Sequence, residues 1–375
     1  MIRTALMTKH SALNCGAALQ CLATQYLIEG LGARCEIIDY NTTRSKSGSK
    51  LLAPPVSAEN ILHDARNLVN FTNYLKRRRS FERFARSYYH MAPGSYDVKN
   101  IKTAAGRLDY DCYITGSDQT FNLNLERDEE EQKPYFWNFL HGVKKISYAS
   151  SMGENLSGIS EHQKKWLKKE LLSYKALSVR EFGAARFIKE LTGITAPVLL
   201  DPTLMLSADE WERYVVKADL KLKDYILFYT VLSSRSVIEF IKEVGLKTGL
   251  PVVAAHSANR YELFERGFTR ADSCGPGEFL SLVKNASLIV TTSFHGTAFA
   301  VNFEKPFISL CLLEGNRIKT LLKMTGLMDR AADTAKRPEL SRLFEVDFTQ
   351  CRAELSKKRA EGMDYLKRAV LSSEK

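Results

Sequence analysis

The feature that most constrains this chain is a recurring couplet: a short apolar run that stops at a cluster of polar residues. Tyr110 to Thr115 runs into Gly116-Ser117-Asp118-Gln119, and Lys145 to Ala149 into Ser150-Ser151-Met152-Gly153. Ala176 to Val179 runs into Arg180-Glu181, and Val198 to Leu200 into Asp201-Pro202-Thr203. Such runs alternate with amphipathic helical patterns, which is the signature of parallel α/β layers. In open parallel sheets the ligand crevice lies at the carboxyl ends of the strands. The polar clusters are therefore expected along one edge of one sheet.

The pattern starts at the N-terminus. Ile2 to Met7 reads as a strand, Gly16 to Leu31 as a helix ending at Gly30 or Gly32, and Cys35 to Tyr40 as a second strand. The turn of this βαβ unit carries Asn14 and Gly16, with neither G-x-G-x-x-G nor a phosphate-loop G-x-x-x-x-G-K. After a charged connector, Lys217 to Asp224, the series restarts. Tyr225 to Val231, Pro251 to Ala255, Leu288 to Thr292 and Pro306 to Leu310 read as strands. Helices are expected at about Arg235 to Thr248, Gly277 to Asn285 and Gln350 to Ala369. At 375 residues the chain is long enough for about two domains. The expectation is two Rossmann-like domains, 1–206 and 224–375, facing a central cleft.

With 45% apolar and 26% charged residues, the chain is neither disordered nor collagen-like. Its 54 Lys and Arg exceed 43 Asp and Glu by eleven, which fits an anionic partner. Seven cysteines, none in a C-x-x-C pair, argue against a structural zinc site and a secreted disulfide framework. His10 and Asn14 interrupt the apolar N-terminus, so no signal peptide is read. The best candidate for a membrane span, Thr297 to Leu313, is cut by Glu304, Lys305 and Pro306. A cytoplasmic protein is expected.

Thr42 to Pro55 reads as a polar, basic loop and Glu126 to Glu131 as a solvated acidic one. Glu59 to Tyr89 reads as a strongly basic helix containing Lys76, Arg77, Arg78 and Arg79. Such a run is usually a solvated face. With Phe71, Tyr74, Phe81 and Phe84 interleaved, it also fits anionic lipid head groups or diphosphates at the inner face of a membrane. No nucleic-acid-binding motif occurs, and no nucleic acid partner is expected.

The sharpest local feature is Thr291-Thr292-Ser293-Phe294-His295-Gly296-Thr297, an apolar strand that delivers His295 to the start of a helix. Helix N-termini favour anions, and Gly296 lets one approach the backbone. His295 beside such a site is a candidate general acid or base; equally, it caps the helix. Arg180 offers a planar fork for carboxylate or phosphate, or pairs with Glu181 or another acid. Asp118, Gln119 and Asn14 offer donors and acceptors to sugar hydroxyls, or cap the elements that follow them. Arg317 faces the cleft or the solvent. No H-E-x-x-H, paired-Asp or Cys/His set suggests a metal.

These segments in order resemble the polysaccharide pyruvyl transferase family. The resemblance rests on Asn14 to Gln20, Tyr113 to Asn122, Ser147 to Gly153, Leu177 to Glu181, Leu200 to Thr203, Gly275 to Leu280, Thr292 to Phe299 and Asn316 to Ile318. It implies a GT-B-like fold and transfer of pyruvate from phosphoenolpyruvate to a sugar as a cyclic ketal, with no other cofactor. By the same resemblance, Arg180 and His295 match positions tied to donor binding and catalysis, within a donor site formed with Ser293, Gly296, Thr297 and Arg317. Asn14, Asp118 and Gln119 then face the acceptor, which the resemblance makes a sugar of a surface polysaccharide precursor, preferably a lipid-diphosphate-linked oligosaccharide. Better-studied members carry Arg two residues before this His, where this chain has Ser293; Arg317 or Lys319 is the candidate to supply that cation. The alternatives are a GT-B glycosyltransferase using a nucleotide sugar and a non-catalytic sugar-binding relative.

Overall fold

A computed structural model describes residues 1–43, 45, 71–230, 234–255, 267–311, 316–332 and 342–372. Most of the expected loop Thr42 to Pro55, the first part of the expected helix from Glu59, and Val231 lie outside the described residues. In the first sheet β1 (Arg3–Met7), β2 (Arg34–Tyr40), β3 (Met91–Tyr96), β4 (Cys112–Thr115) and β5 (Lys145–Ser147) run parallel in the order β3-β2-β1-β4-β5. In the second, β6 (Ile226–Tyr229), β7 (Val252–Ala255), β8 (Thr269–Arg270), β9 (Leu288–Thr291), β10 (Phe307–Leu310) and β11 (Ala331–Ala332) take the order β11-β10-β9-β6-β7-β8. Both follow the doubly wound order, in which the chain reverses direction beside its first strand. The reversals fall between β1 and β4 in one sheet and between β6 and β9 in the other.

The strands expected at 176–179 and 198–200 are present only as single bridges, Ile146 to Ala176, Ser150 to Val179 and Val179 to Val198. Side-chain hydroxyls explain the broken ladder. Ser178 N–H donates to Ser147 Oγ at 2.9 Å, and Ser178 Oγ donates to Ser147 O at 2.9 Å. Polar side chains thus take the places of backbone partners. β3 carries Pro93 and Gly94 and was not legible as a strand; it forms at the sheet edge, where a missing N–H is tolerated.

Helix α1 (Cys15–Glu29) is capped by Asn14, whose side chain accepts from Ala17 N–H at 3.1 Å. It is buried on nearly every side, because it lies between the two halves of the molecule. Helix α2 (Phe71–Tyr88) fastens to both halves: Arg77 Nη2 donates to Leu13 O at 2.7 Å, and Ser80 Oγ to Glu278 Oε2 at 2.7 Å. The largest apolar cluster runs through both halves and includes Leu22, Trp211, Phe279, Phe299 and Leu366. The last helix, α3 (Thr349–Leu371), touches both halves as well. Arg359 Nη2 reaches Asn302 Oδ1 at 2.9 Å, while Tyr365 Oη donates to Ser147 O at 2.8 Å.

Two surface expectations change. Arg77 is only 2% exposed, so it does not share an outward face with Lys76, Arg78 and Arg79; at 100° per residue a run of four cannot stay on one side. The acidic run is not simply solvated. Glu126 is buried against Lys9 Nζ at 2.9 Å, and Glu131 accepts from Thr43 N–H at 2.9 Å. Among the described residues no helix is long and apolar enough to cross a membrane.

Candidate active site

The carboxyl ends of the two sheets bring His295 and Arg180 to one buried carboxylate, Asp201. Ser293 N-caps the helix Phe294–Asn302, accepting from Gly296 N–H at 3.4 Å, and this turn delivers His295 just past β9. The His295 Nε2 atom lies 3.7 Å from Asp201 Oδ2, beyond hydrogen-bond length, and is buried without a hydrogen-bond partner. Its ring rests on Gly16 at the start of α1: a Cβ there would fall 2.3 Å from His295 Cγ and Nδ1. Two helix N-termini, one from each half, therefore meet at this imidazole, and their dipoles favour negative charge beside it.

Arg180 is 3% exposed. Its Nη1 donates to Asp201 Oδ2 at 2.6 Å and its Nε to Glu181 Oε1 at 3.2 Å, while Nη2 is buried without a partner. The guanidinium lies 4.0 Å from the centroid of the Phe294 ring, which braces its plane from the other half of the molecule. The expected pairing with acids is present through two donors, and Nη2 has no partner among the described residues. Burial works against its charge, but Asp201, Glu181 and Asp118 outweigh that and hold it firmly protonated.

Asp201, which the sequence pattern marks only as the end of an apolar run, is the residue on which the site is centred. It accepts from Ser117 Oγ at 2.9 Å, from Thr203 N–H at 3.0 Å and from Thr203 Oγ1 at 2.7 Å, besides Arg180. Burial raises its carboxyl, yet His295, Arg180 and the Thr203 amide more than offset this and hold it well below the usual carboxylate range. An acid ending an apolar run, as in Leu199-Leu200-Asp201, was the available signal. Glu181, 1% exposed, is pushed the opposite way by burial, against the pull of Arg180.

A depressed carboxyl contributes stability above its unfolded pKa, near 3.9, and loses it as pH falls toward the folded value. Asp201→Asn is therefore expected to lower stability clearly at pH 7, with the gap to wild type narrowing below about pH 4. Urea melts at the two pH values check this; an equal gap at both contradicts the assignment. For Gly16→Ala, helix propensity alone predicts a gain. The clash with His295 instead predicts a fall in turnover of about tenfold to a hundredfold, with the melting point little changed. Unaltered turnover contradicts that contact.

The remaining candidates separate. Asp118 adopts φ 67 and ψ −171, a region nearly restricted to glycine, and its side chain accepts from Gln119 N–H at 2.9 Å. Strain of this kind, beside Arg180, marks a held position at the cleft. Gln119 Oε1 accepts from Asn122 Nδ2 at 2.8 Å, and both line the close approach to Gly153. Asn14 serves as the cap described above. Arg317 bridges the halves through Glu154 at 2.9 Å and also acts on Glu181. Two expectations are corrected. Thr297 is fully buried, with its hydroxyl on Ser293 O at 3.1 Å and Ser309 Oγ at 2.7 Å, so its side chain turns inward onto the neighbouring strand. Gly296 admits no anion at its missing side chain, because Thr291 Oγ1 and Tyr229 Cδ1 already fill that space, 2.2 and 2.9 Å from where a Cβ would stand.

Comparison with known proteins agrees with this fold. The chain is similar to a Listeria monocytogenes protein assigned as a UDP-N-acetylglucosamine 2-epimerase, with TM-score 0.56, 9% identity and coverage of 98% of this chain and 91% of that one. It is similar to the Methanocaldococcus jannaschii UDP-GlcNAc 2-epimerase in complex with UDP-GlcNAc and UDP, with TM-score 0.53, 12% identity and coverage of 96% and 98%. An alpha-glucosyltransferase in complex with UDP gives TM-score 0.50, 10% identity and coverage of 100% and 97%. At such identities the likeness concerns the fold, which is GT-B-like. No curated protein matches the sequence. The family model for polysaccharide pyruvyl transferase matches residues 14–310, a span that contains Asn14, Arg180, Asp201 and His295. The chain belongs to the polysaccharide pyruvyl transferase family.

Proposed function

We propose that this protein transfers pyruvate from phosphoenolpyruvate to two hydroxyls of a sugar in a surface polysaccharide precursor, as a cyclic ketal. The observation that carries the reading is the pair of buried, unpartnered nitrogens, Arg180 Nη2 and His295 Nε2, set around one ionised carboxylate. Unpaired buried donors are costly unless a ligand completes them. Phosphoenolpyruvate, with its carboxylate and phosphate, supplies about three negative charges near neutral pH.

In this reading Arg180 Nη2 holds a donor carboxylate or phosphate oxygen, and Asp201 with Phe294 fixes the fork. His295, protonated at Nε2 next to Asp201, gives its proton to the methylene carbon of the donor. The central carbon becomes electrophilic, and the first sugar hydroxyl bonds to it while returning its proton to the imidazole. The second hydroxyl then bonds to the same carbon as the carbon–oxygen bond to phosphate breaks, and its proton leaves with the phosphate. Asp118, Gln119 and Asn14 line the acceptor side, and Arg317 reaches the donor by leaving Glu154.

Incubation with phosphoenolpyruvate and a lipid-diphosphate-linked oligosaccharide is expected to release phosphate and add one pyruvyl group to the glycan by mass. Thermal stabilisation by phosphoenolpyruvate is expected as well. The UDP ligands of the fold neighbours support a second reading, a nucleotide-sugar transferase. Stabilisation by UDP-sugars, with none by phosphoenolpyruvate, would establish that reading instead.

A further inference from the structure

Helix α2 carries six cations and one acid over its 18 residues, a net +5 out of the surplus of eleven. They are not distributed evenly around it. Tyr74, Arg77, Phe81 and Phe84 are buried against the body, and Arg77 reaches the Leu13 carbonyl close to Gly16. Lys76, Arg79, Arg83 and Arg86 are all exposed. At 100° per residue these four fall within an arc of about 80° on the side opposite the buried one, along about 15 Å of helix. Among the described residues none of the four has an ion-pair partner; the one acid of the helix, Glu82, is engaged by Arg78 at 2.8 Å. Helices elsewhere mix their charges: Glu161–Leu171 carries four cations and two acids, and α3 six and three. α2 is fastened to Leu13 of the first half and Glu278 of the second, so the cationic stripe lies on the outer side of an element that bridges the two halves.

We propose that Lys76, Arg79, Arg83 and Arg86 form the face by which the protein lies on an anionic bilayer. A straight row of exposed cations along one side of a helix, without ion-pair partners among the described residues, matches a planar anionic surface. The arrangement places the helix that bridges the two halves next to the bilayer, the side from which a lipid-linked acceptor would come. The inference rests on the acceptor half of the proposed function and is independent of the donor chemistry.

The test is co-sedimentation of the full chain, without substrates, with vesicles of phosphatidylglycerol in phosphatidylcholine and of phosphatidylcholine alone, at low and high salt. Binding is expected to the anionic vesicles alone and to fall with salt. Arg79→Gln/Arg83→Gln is expected to weaken it by about thirtyfold, about fivefold per cation. Lys165→Gln/Lys168→Gln, which removes the same charge from another exposed helix, is expected to change it far less. Circular dichroism confirms that both variants fold. Equal weakening by the two pairs, no binding of wild type to anionic vesicles, or tighter binding to RNA with none to vesicles overturns the proposal. Pyruvyl transfer to a water-soluble acceptor tests the chemistry separately, and its failure leaves the vesicle result standing.

Discussion

His295→Gln is expected to lower pyruvyl transfer by about 10²- to 10⁴-fold, the range for removal of a general acid. Glutamine keeps a polar group of similar reach but carries no proton to a carbon. The fold is expected to survive, because the helix that carries His295 is held by other groups. Ser293 caps it, Thr297 ties it to Ser309, and Asn302 Nδ2 donates to Thr203 O at 3.0 Å and Leu206 O at 2.8 Å. Without the imidazole, Asp201 is still satisfied by Arg180 and Ser117. Turnover and a melting curve on the same preparation decide the matter. Turnover within about threefold of wild type, with the fold intact, removes His295 from the proton transfer.

Arg180→Lys is expected to raise the donor Michaelis constant by about tenfold to a hundredfold, the worth of one charged hydrogen bond. The charge is kept, so simple neutralisation does not explain the loss. The fork is not kept: one ammonium cannot serve Asp201, Glu181 and a ligand in the geometry that three guanidinium nitrogens provide. Some stability is lost as well, since Glu181 and Asp201 are both buried and lean on this cation. Initial rates at a temperature well below the melting point separate the effects. A Michaelis constant equal to wild type, at any turnover, contradicts donor binding by Arg180.

Much of the fold was legible because parallel strands buried on both faces leave apolar runs, and helices leave periodic ones. Helix Arg235–Thr248 has the expected bounds, and β2, β7 and β10 differ from expectation only at their first residue. What was illegible had a local reason. β3 holds Pro93 and Gly94, and β8 and β11 are two residues long. None of these leaves a run of side chains that reads as a strand.

The site divides in the same way. Sequence alone placed His295 after an apolar strand and Arg180 after another, since a strand end fixes where the next side chain emerges. It left Arg180 open between an acid and a ligand, and Asp118 and Asn14 open between caps and contacts. Tertiary structure shows the acid pairs of Arg180 and the caps made by Asp118 and Asn14. Asp201, 21 residues from Arg180 and 94 from His295, lies between them because two doubly wound sheets present their reversal points to each other across α1. Gly16 is required by the His295 ring, and Thr297 turns inward because Ser309 of the neighbouring strand takes its hydroxyl. A sequence encodes the period and end of each element through local sterics and burial. Which ends converge depends on strand order, set by contacts between residues far apart in the chain.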